Sequence, residues 1–291
     1  MDEAKFNALT PYNSRIFDSA RWKRFSPRPD DIFVCTPAKC GTTWTQTIVF
    51  NLIHAHGDFP TSVMQASPWI EAKFRDEDEM YQTLEAQDHR RVMKSHSPAD
   101  GVPWFGDAKY IFVGRDGRDA FMSMCNHKER MRLPEHMRPP VSQENEPRGV
   151  YDGDPHGFFQ EWVHADESFF KMVASYWSRR HQDNVLFVHY ADLKKDLPGE
   201  IQRIADYLEI SLTADELEQV ADRCSFEYMR NHPEMVGEFD IFEGGIQGFI
   251  FKGTNGRWRD VLTSDELATY DRVAKESLSD DALLWLASDS Q

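Results

Sequence analysis

The stretch DIFVCTPAKCGTTWTQT, residues 31–47, joins an apolar run to a small-residue turn carrying Lys39, Gly41, Thr42 and Thr43. Beyond it, Trp44, Ile48, Val49, Leu52 and Ile53 recur at helical spacing, and the pattern ends near Gly57. A strand, a glycine turn and a helix N-terminus make an anion site, because amides of the first turn point outward and Gly41 lets the backbone approach closely. The order differs from the G-x-x-x-x-G-K-[ST] of nucleotide triphosphatases. Here the lysine precedes the glycine, and a tryptophan follows the threonines.

Three further apolar runs have the length and composition of buried strands: RRVMKSH (90–96), KYIFVGR (109–115) and NVLFVHY (184–190). Helical patterns cover 158–181 and 198–209, the second with Ile201, Ile204, Ala205 and Leu208 on one face. Strands alternating with helices predict an α/β fold with a central, mainly parallel sheet flanked by helices, in one domain over 1–291. Such sheets bind ligands beyond the carboxyl ends of their strands, so the candidate residues should follow the apolar runs. Residues 126–157 are rich in proline and charge with weak periodicity, and read as a long loop or lid over the acceptor site.

The chain has 291 residues with 33 basic and 49 acidic side chains, a net charge of −16. That balance argues against a nucleic-acid partner or an anionic membrane surface, so a polyanionic ligand needs a local cluster of cations and amides. No signal peptide is read in the first 30 residues, and no run reaches the ~18–20 apolar residues of a membrane span. Cys35, Cys40, Cys125 and Cys224 are scattered without a C-x-x-C pair. They read as reduced thiols of a cytoplasmic protein, and no metal site is expected.

The second run ends in Lys94-Ser95-His96; residues two apart in a strand point to one side, so the lysine and histidine can face one cavity. Histidine is the side chain best suited to take a proton near neutral pH. The third run ends at Arg115, followed by a helical stretch containing Ser123, and the two together can grip a second phosphate. Arg118 and Asp119 read as surface or capping groups. Phe251-Lys252-Gly253 lies in a glycine-rich loop near the C-terminus. With two anion sites, a lysine–histidine pair and no acidic strand-end group to hold Mg²⁺, a donor with a separate 3′-phosphate fits better than a triphosphate. A P-loop-like Mg-ATP-dependent small-molecule kinase is the alternative, and a binding protein without turnover a third reading.

These residues resemble the cytosolic sulfotransferases. Ala38-Lys39-Cys40-Gly41-Thr42-Thr43-Trp44 is similar to their 5′-phosphosulfate loop P-K-S-G-T-T-W, and Lys94-x-His96 to their K-x-H. Arg115 with Ser123 resembles the 3′-phosphate motif, and Lys252-Gly253 with Gly256 and Trp258 the closing R-K-G-x-x-G-x-W. The resemblance implies a three-layer P-loop-like fold and transfer of a sulfuryl group from 3′-phosphoadenosine 5′-phosphosulfate (PAPS). The acceptor would be a hydroxyl or amine of a small apolar or aromatic molecule. The by-product would be adenosine 3′,5′-bisphosphate (PAP). It implies His96 as general base, Lys39 at the leaving bridging oxygen and Lys94 at the sulfuryl oxygens. Residues 40–44 would hold the 5′ end; Arg115, Ser123, Lys252 and Gly253 would hold the 3′-phosphate. Trp44 and Phe226 would sandwich the adenine, with Tyr190, Cys224 and Ser225 at its edge. Phe17, Trp69, Phe74 and Trp104 are candidate acceptor walls, and their aromatic content equally suits core packing.

The chain also departs from the family pattern. Phe251 stands where the family has arginine, so a charged contact is missing or supplied by Arg257 or Arg118. Cys40 replaces serine, keeping an amide and losing a hydroxyl. The dimer motif K-x-x-F-T-V-x-x-x-E aligns with Arg259, Leu262, Thr263, Ser264 and Ala268, without its valine and glutamate, so no dimer is carried over.

Overall fold

The computed structural model describes residues 8–55, 61–132, 151, 153–165 and 169–288. Its sheet has four parallel strands in the order β2-β1-β3-β4: β1 (Ile32–Cys35), β2 (Val92–Ser95), β3 (Lys109–Gly114) and β4 (Val185–His189). The main helices are α1 (Thr42–Ile53), α2 (Glu77–Glu85), α3 (Gly117–Arg130), α4 (Pro155–Val163) and α5 (Phe169–Trp177). They continue as α6 (Leu197–Tyr207), α7 (Ala214–Arg223), α8 (Phe226–Asn231) and α9 (Ser264–Ser277). All four expected strands form.

The period of two along β1 divides the core into layers. Ile32 and Val34 face Ile48, Val49 and Leu52 of α1 and Ile201 and Ile204 of α6. Phe33 and Cys35 face a second cluster containing Tyr110, Phe112, Phe159, Phe170 and Tyr176. Both faces are covered, as a parallel sheet requires, and every residue of β1 is buried. Register at the amino ends is held by a buried ion pair: Arg91 donates from Nε and Nη2 to the two carboxylate oxygens of Asp31, at 2.7 and 2.6 Å.

From β1 the chain passes through α1 to β2 on one flank, whereas β3 leads to β4 on the other. The carboxyl ends of β1 and β3 therefore border the crevice where such sheets bind ligands. The expected irregular segment 126–157 is partly helical. Residues 126–130 complete α3 and 155–157 open α4, where Asp154 accepts from the amides of His156 and Gly157 and Pro155 occupies the first turn. The rest of that lid expectation, residues 133–150 and 152, lies outside the described residues. Among the described residues, no helix is long and apolar enough to cross a membrane.

Candidate active site

Between β1 and α1 the chain turns through two left-handed residues, Lys39 (φ 70°) and Gly41 (φ 104°). A Cβ at Gly41 would meet the Tyr190 ring at 2.9 Å, so glycine is required for conformation and space together. Gly41 caps α1 without a side-chain bond, which leaves the first-turn amides free for a ligand. Thr42 is buried, its hydroxyl 2.5 Å from that of Thr36, while Thr43 is half-buried on the first turn. Burial pushes the Cys40 thiol up to about 12, so this residue offers its amide and no charge.

Lys94 and His96 follow at the end of β2. The Nδ1–H of His96 donates to the carbonyl of Thr36 at 2.7 Å, leaving Nε2 unprotonated in the neutral ring. Burial, then the charge of Lys94, with a smaller part from Lys39, holds its pKa down to about 3; the bond to Thr36 partly opposes them. Burial and repulsion from Arg115 and Lys94 lower Lys39 to about 7. Lys94 falls to about 8 through burial and Arg75, against the pull of Glu71. Cations are thus gathered in a half-buried crevice beyond what their surroundings balance. An incoming anion would restore their charge.

Arg115 ties three segments together. It donates to the Lys39 carbonyl (3.2 Å) and to Asn255 Oδ1 (2.8 Å), and its guanidinium lies 4.1 Å from the centre of the Tyr190 ring. Its buried Nε has no partner among the described residues, as a guanidinium prepared for an anion would have. Ser123 stands two turns into α3, half-buried. The closing loop is docked by Gly256 N donating to Asp119 Oδ1 at 2.7 Å. Asp119 is accordingly not a surface or capping group; it is buried and anchors this loop. Arg118 is held by Asp116 and stacks on Trp258, at 4.0 Å. Arg257 donates to the Met122 carbonyl beside Ser123, at 3.3 Å. The ring of Phe251 carries the Arg130 guanidinium at 3.8 Å, and Lys252 is exposed.

On the other side, Trp44 packs edge-on against Tyr190 (5.4 Å) and donates to the Cys224 carbonyl at 2.7 Å, two residues before Phe226. Ser225 caps α8 by accepting from Tyr228 N, and Cys224 is buried. A Cβ at Gly253 would strike the Phe226 ring at 2.8 Å, so the closing loop runs against that face. These contacts bring Trp44, Tyr190, Cys224, Phe226 and Gly253 to one wall.

Of the expected acceptor walls, Trp69 is edge-on to His96 at 4.9 Å, with Phe17 and Phe74 packed on it at 6.1 and 5.8 Å. Trp104 is not with them. It stacks at 3.9 Å on Tyr110, at the amino end of β3, and carries Arg179 on its ring, so it is a half-buried residue packed on the core, away from the carboxyl ends of the strands. One residue within the site was missed: His127, whose Nδ1 is 3.2 Å from Lys39 Nζ. Its spacing of four from Ser123 was the available signal, hidden by reading 126 onward as loop.

Comparison with known proteins agrees over most of the chain. A family model described as a sulfotransferase domain matches residues 29–282. A glycolipid sulfotransferase of Mycobacterium bovis (strain BCG / Pasteur 1173P2) is 30% identical, with 94% of this chain and 93% of the relative covered. Human sulfotransferase 1C2 is 25% identical over 87% of this chain and 85% of its own. Among solved structures, mouse sulfotransferase SULT7A1 complexed with PAP superimposes with a TM-score of 0.72 at 21% identity, covering 97% of this chain and 98% of that one; this likeness concerns the fold.

Proposed function

This chain belongs to the sulfotransferase family, and from that premise we propose that it moves the sulfuryl group of PAPS onto a hydroxyl, or an amine, of a small apolar or aromatic acceptor. The kinase alternative is set aside, since the family matched across the chain is one of sulfotransferases.

One observation carries the reading. Lys39, Lys94 and Arg115 converge at the ends of three neighbouring strands around a neutral histidine whose Nε2 is bare. In the proposed reaction, His96 takes the acceptor proton on Nε2 as the acceptor oxygen attacks sulfur. Lys94 faces the equatorial sulfuryl oxygens. Lys39 meets the charge that grows on the bridging oxygen as its bond to sulfur breaks. The work is positioning and electrostatic stabilisation, with no covalent link to the enzyme.

The donor side uses the amides of residues 40–44 and the hydroxyls of Thr42 and Thr43 for the 5′ end. Arg115, Ser123, Lys252 and the Gly253 amide read the 3′-phosphate, and Trp44 and Phe226 flank the adenine. Trp69, with Phe17 and Phe74, forms an apolar wall next to His96, and the half-exposed Phe74 ring favours an acceptor whose apolar body reaches the surface. The name of the mycobacterial relative supports a lipid-like alcohol within that class. The four buried free cysteines support a reducing, cytoplasmic setting.

Titration with adenosine 3′,5′-bisphosphate in the absence of metal, against ATP with Mg²⁺, tests the donor. Preference for ATP–Mg²⁺ would overturn it. Hydroxylated acceptors screened with labelled PAPS then identify the other substrate.

A further inference from the structure

Asp119, Ser123 and His127 occur at i, i+4 and i+8 of α3, so they stand on one face roughly a turn apart. Asp119 holds the closing loop at the N-terminal end of that face. At the other end, Nζ of Lys39 lies 3.2 Å from Nδ1 of His127. With Lys39 as the ammonium, which can only donate, Nδ1 accepts and the proton of the neutral ring sits on Nε2. The imidazole packs on Phe242 and Phe249, at 4.9 and 5.9 Å, and the Lys39 ammonium lies 4.6 Å over Phe249.

Among the described residues, the charged groups acting on Lys39 are Arg115, Lys94 and the Cys40 thiol, with no carboxylate among them. Burial first, and then the charges of Lys39, Lys128, Lys94 and His96, disfavour a second proton on His127. A half-buried ammonium among like charges loses its proton more readily unless something accepts from it. Here the acceptor is uncharged. A carboxylate in that place would neutralise Lys39 and compete with an anionic ligand. A neutral imidazole yields, because an anionic oxygen brings a full opposite charge to the ammonium where the imidazole brings only a lone pair.

We propose that His127 is a positioning residue for Lys39: its Nδ1 holds the ammonium charged at the mouth of the phosphate loop and releases it when an anionic oxygen arrives. Its functional meaning rests on the sulfuryl-transfer reading of Lys39, but its test does not.

The side-chain amine of Lys39 is titrated by heteronuclear NMR in ligand-free protein, using wild type, His127→Phe, His127→Leu and His127→Gln. The apolar variants fit the Phe242–Phe249 wall, and either one that folds suffices. Loss of the acceptor should lower the Lys39 pKa by about one unit, the worth of one hydrogen bond to a charged group. His127→Gln, whose Oε1 accepts, should move it back towards wild type. Saturating adenosine 3′,5′-bisphosphate should erase the differences, since the anion is then the partner. An unchanged Lys39 titration in the apolar variants, or a glutamine variant no different from them, overturns the proposal. Failure of the bisphosphate to bind, or of any acceptor to be sulfated, would count against the proposed function and leave the ligand-free titration as it stands.

Discussion

His96 donates to the Thr36 carbonyl at 2.7 Å, a bond from the end of β2 to the end of β1 that fixes which ring nitrogen can act as a base. With Nδ1 committed, Nε2 is the only lone pair available. Its low basicity in the free protein, about 3, comes first from burial and then from the neighbouring lysines. A bound anionic donor offsets the lysine charges and raises it.

Replacing this base therefore separates chemistry from binding. His96→Ala is expected to lower the transfer rate by roughly 10²–10⁴-fold, the usual worth of a general base. Affinity for adenosine 3′,5′-bisphosphate should stay within a few-fold, measured by calorimetry. Joint loss of both, or retained turnover, would remove His96 from the role.

Arg115 is expected to distinguish a bisphosphate from a monophosphate. Arg115→Ala should cost ~1.5–3 kcal/mol in adenosine 3′,5′-bisphosphate binding, as for a charged hydrogen bond. Adenosine 5′-monophosphate should lose less, because it loses only Arg115's internal bonds to the Lys39 carbonyl and Asn255. Equal losses for the two ligands would assign Arg115 a purely structural part.

The depressed lysines make binding depend on pH. Lys39 titrates near 7 and Lys94 near 8 in the free protein, against an ordinary 10.5, and a nearby anion raises both. The complex then holds more protons than the free protein above about pH 7, so affinity falls as pH rises through that window. At pH 8, where a phosphate with a second pKa of about 6 is already ionised, binding should take up about 1.4 protons, about 0.9 at Lys39 and about 0.5 at Lys94. Calorimetry in two buffers of different ionisation enthalpy reads this directly, and zero uptake would contradict the cationic crevice.

Stability is predicted to hinge on the pair at the opposite ends of the strands. Asp31→Ala leaves the Arg91 guanidinium buried at 2% exposure without its carboxylate. The loss should be about 3–5 kcal/mol in denaturant unfolding. Replacing both residues with apolar side chains of similar volume should recover most of it. A single mutant within about 1 kcal/mol of wild type would show that the site rehydrates freely.

What could be read from the chain alone followed from local rules. The four strands and α1 were legible because buried parallel strands are continuous apolar runs and the helix keeps a 3.6-residue period. Lys39, Lys94, His96 and Arg115 could be grouped because each lies at or shortly after the end of such a run. Trp104 was not, since an aromatic residue has the same appearance in a core stack as in a pocket. Asp119 was misread and His127 missed for a different reason: their partners, Gly256 and Lys39, are 137 and 88 positions away. Contacts of that range leave no periodic trace.

The same distances bear on how the protein comes into being. Arg115 bonds to Lys39 and to Asn255, residues 76 and 140 positions away on opposite sides of it in the chain. Pairings of such range form late in folding, after the loops between them have been closed. During synthesis the phosphate loop emerges early and has no finished partner until the segment around Asn255 leaves the ribosome. Donor affinity in a truncated or partly folded chain should then appear only with that last segment, so capture on an immobilised bisphosphate would select completed molecules.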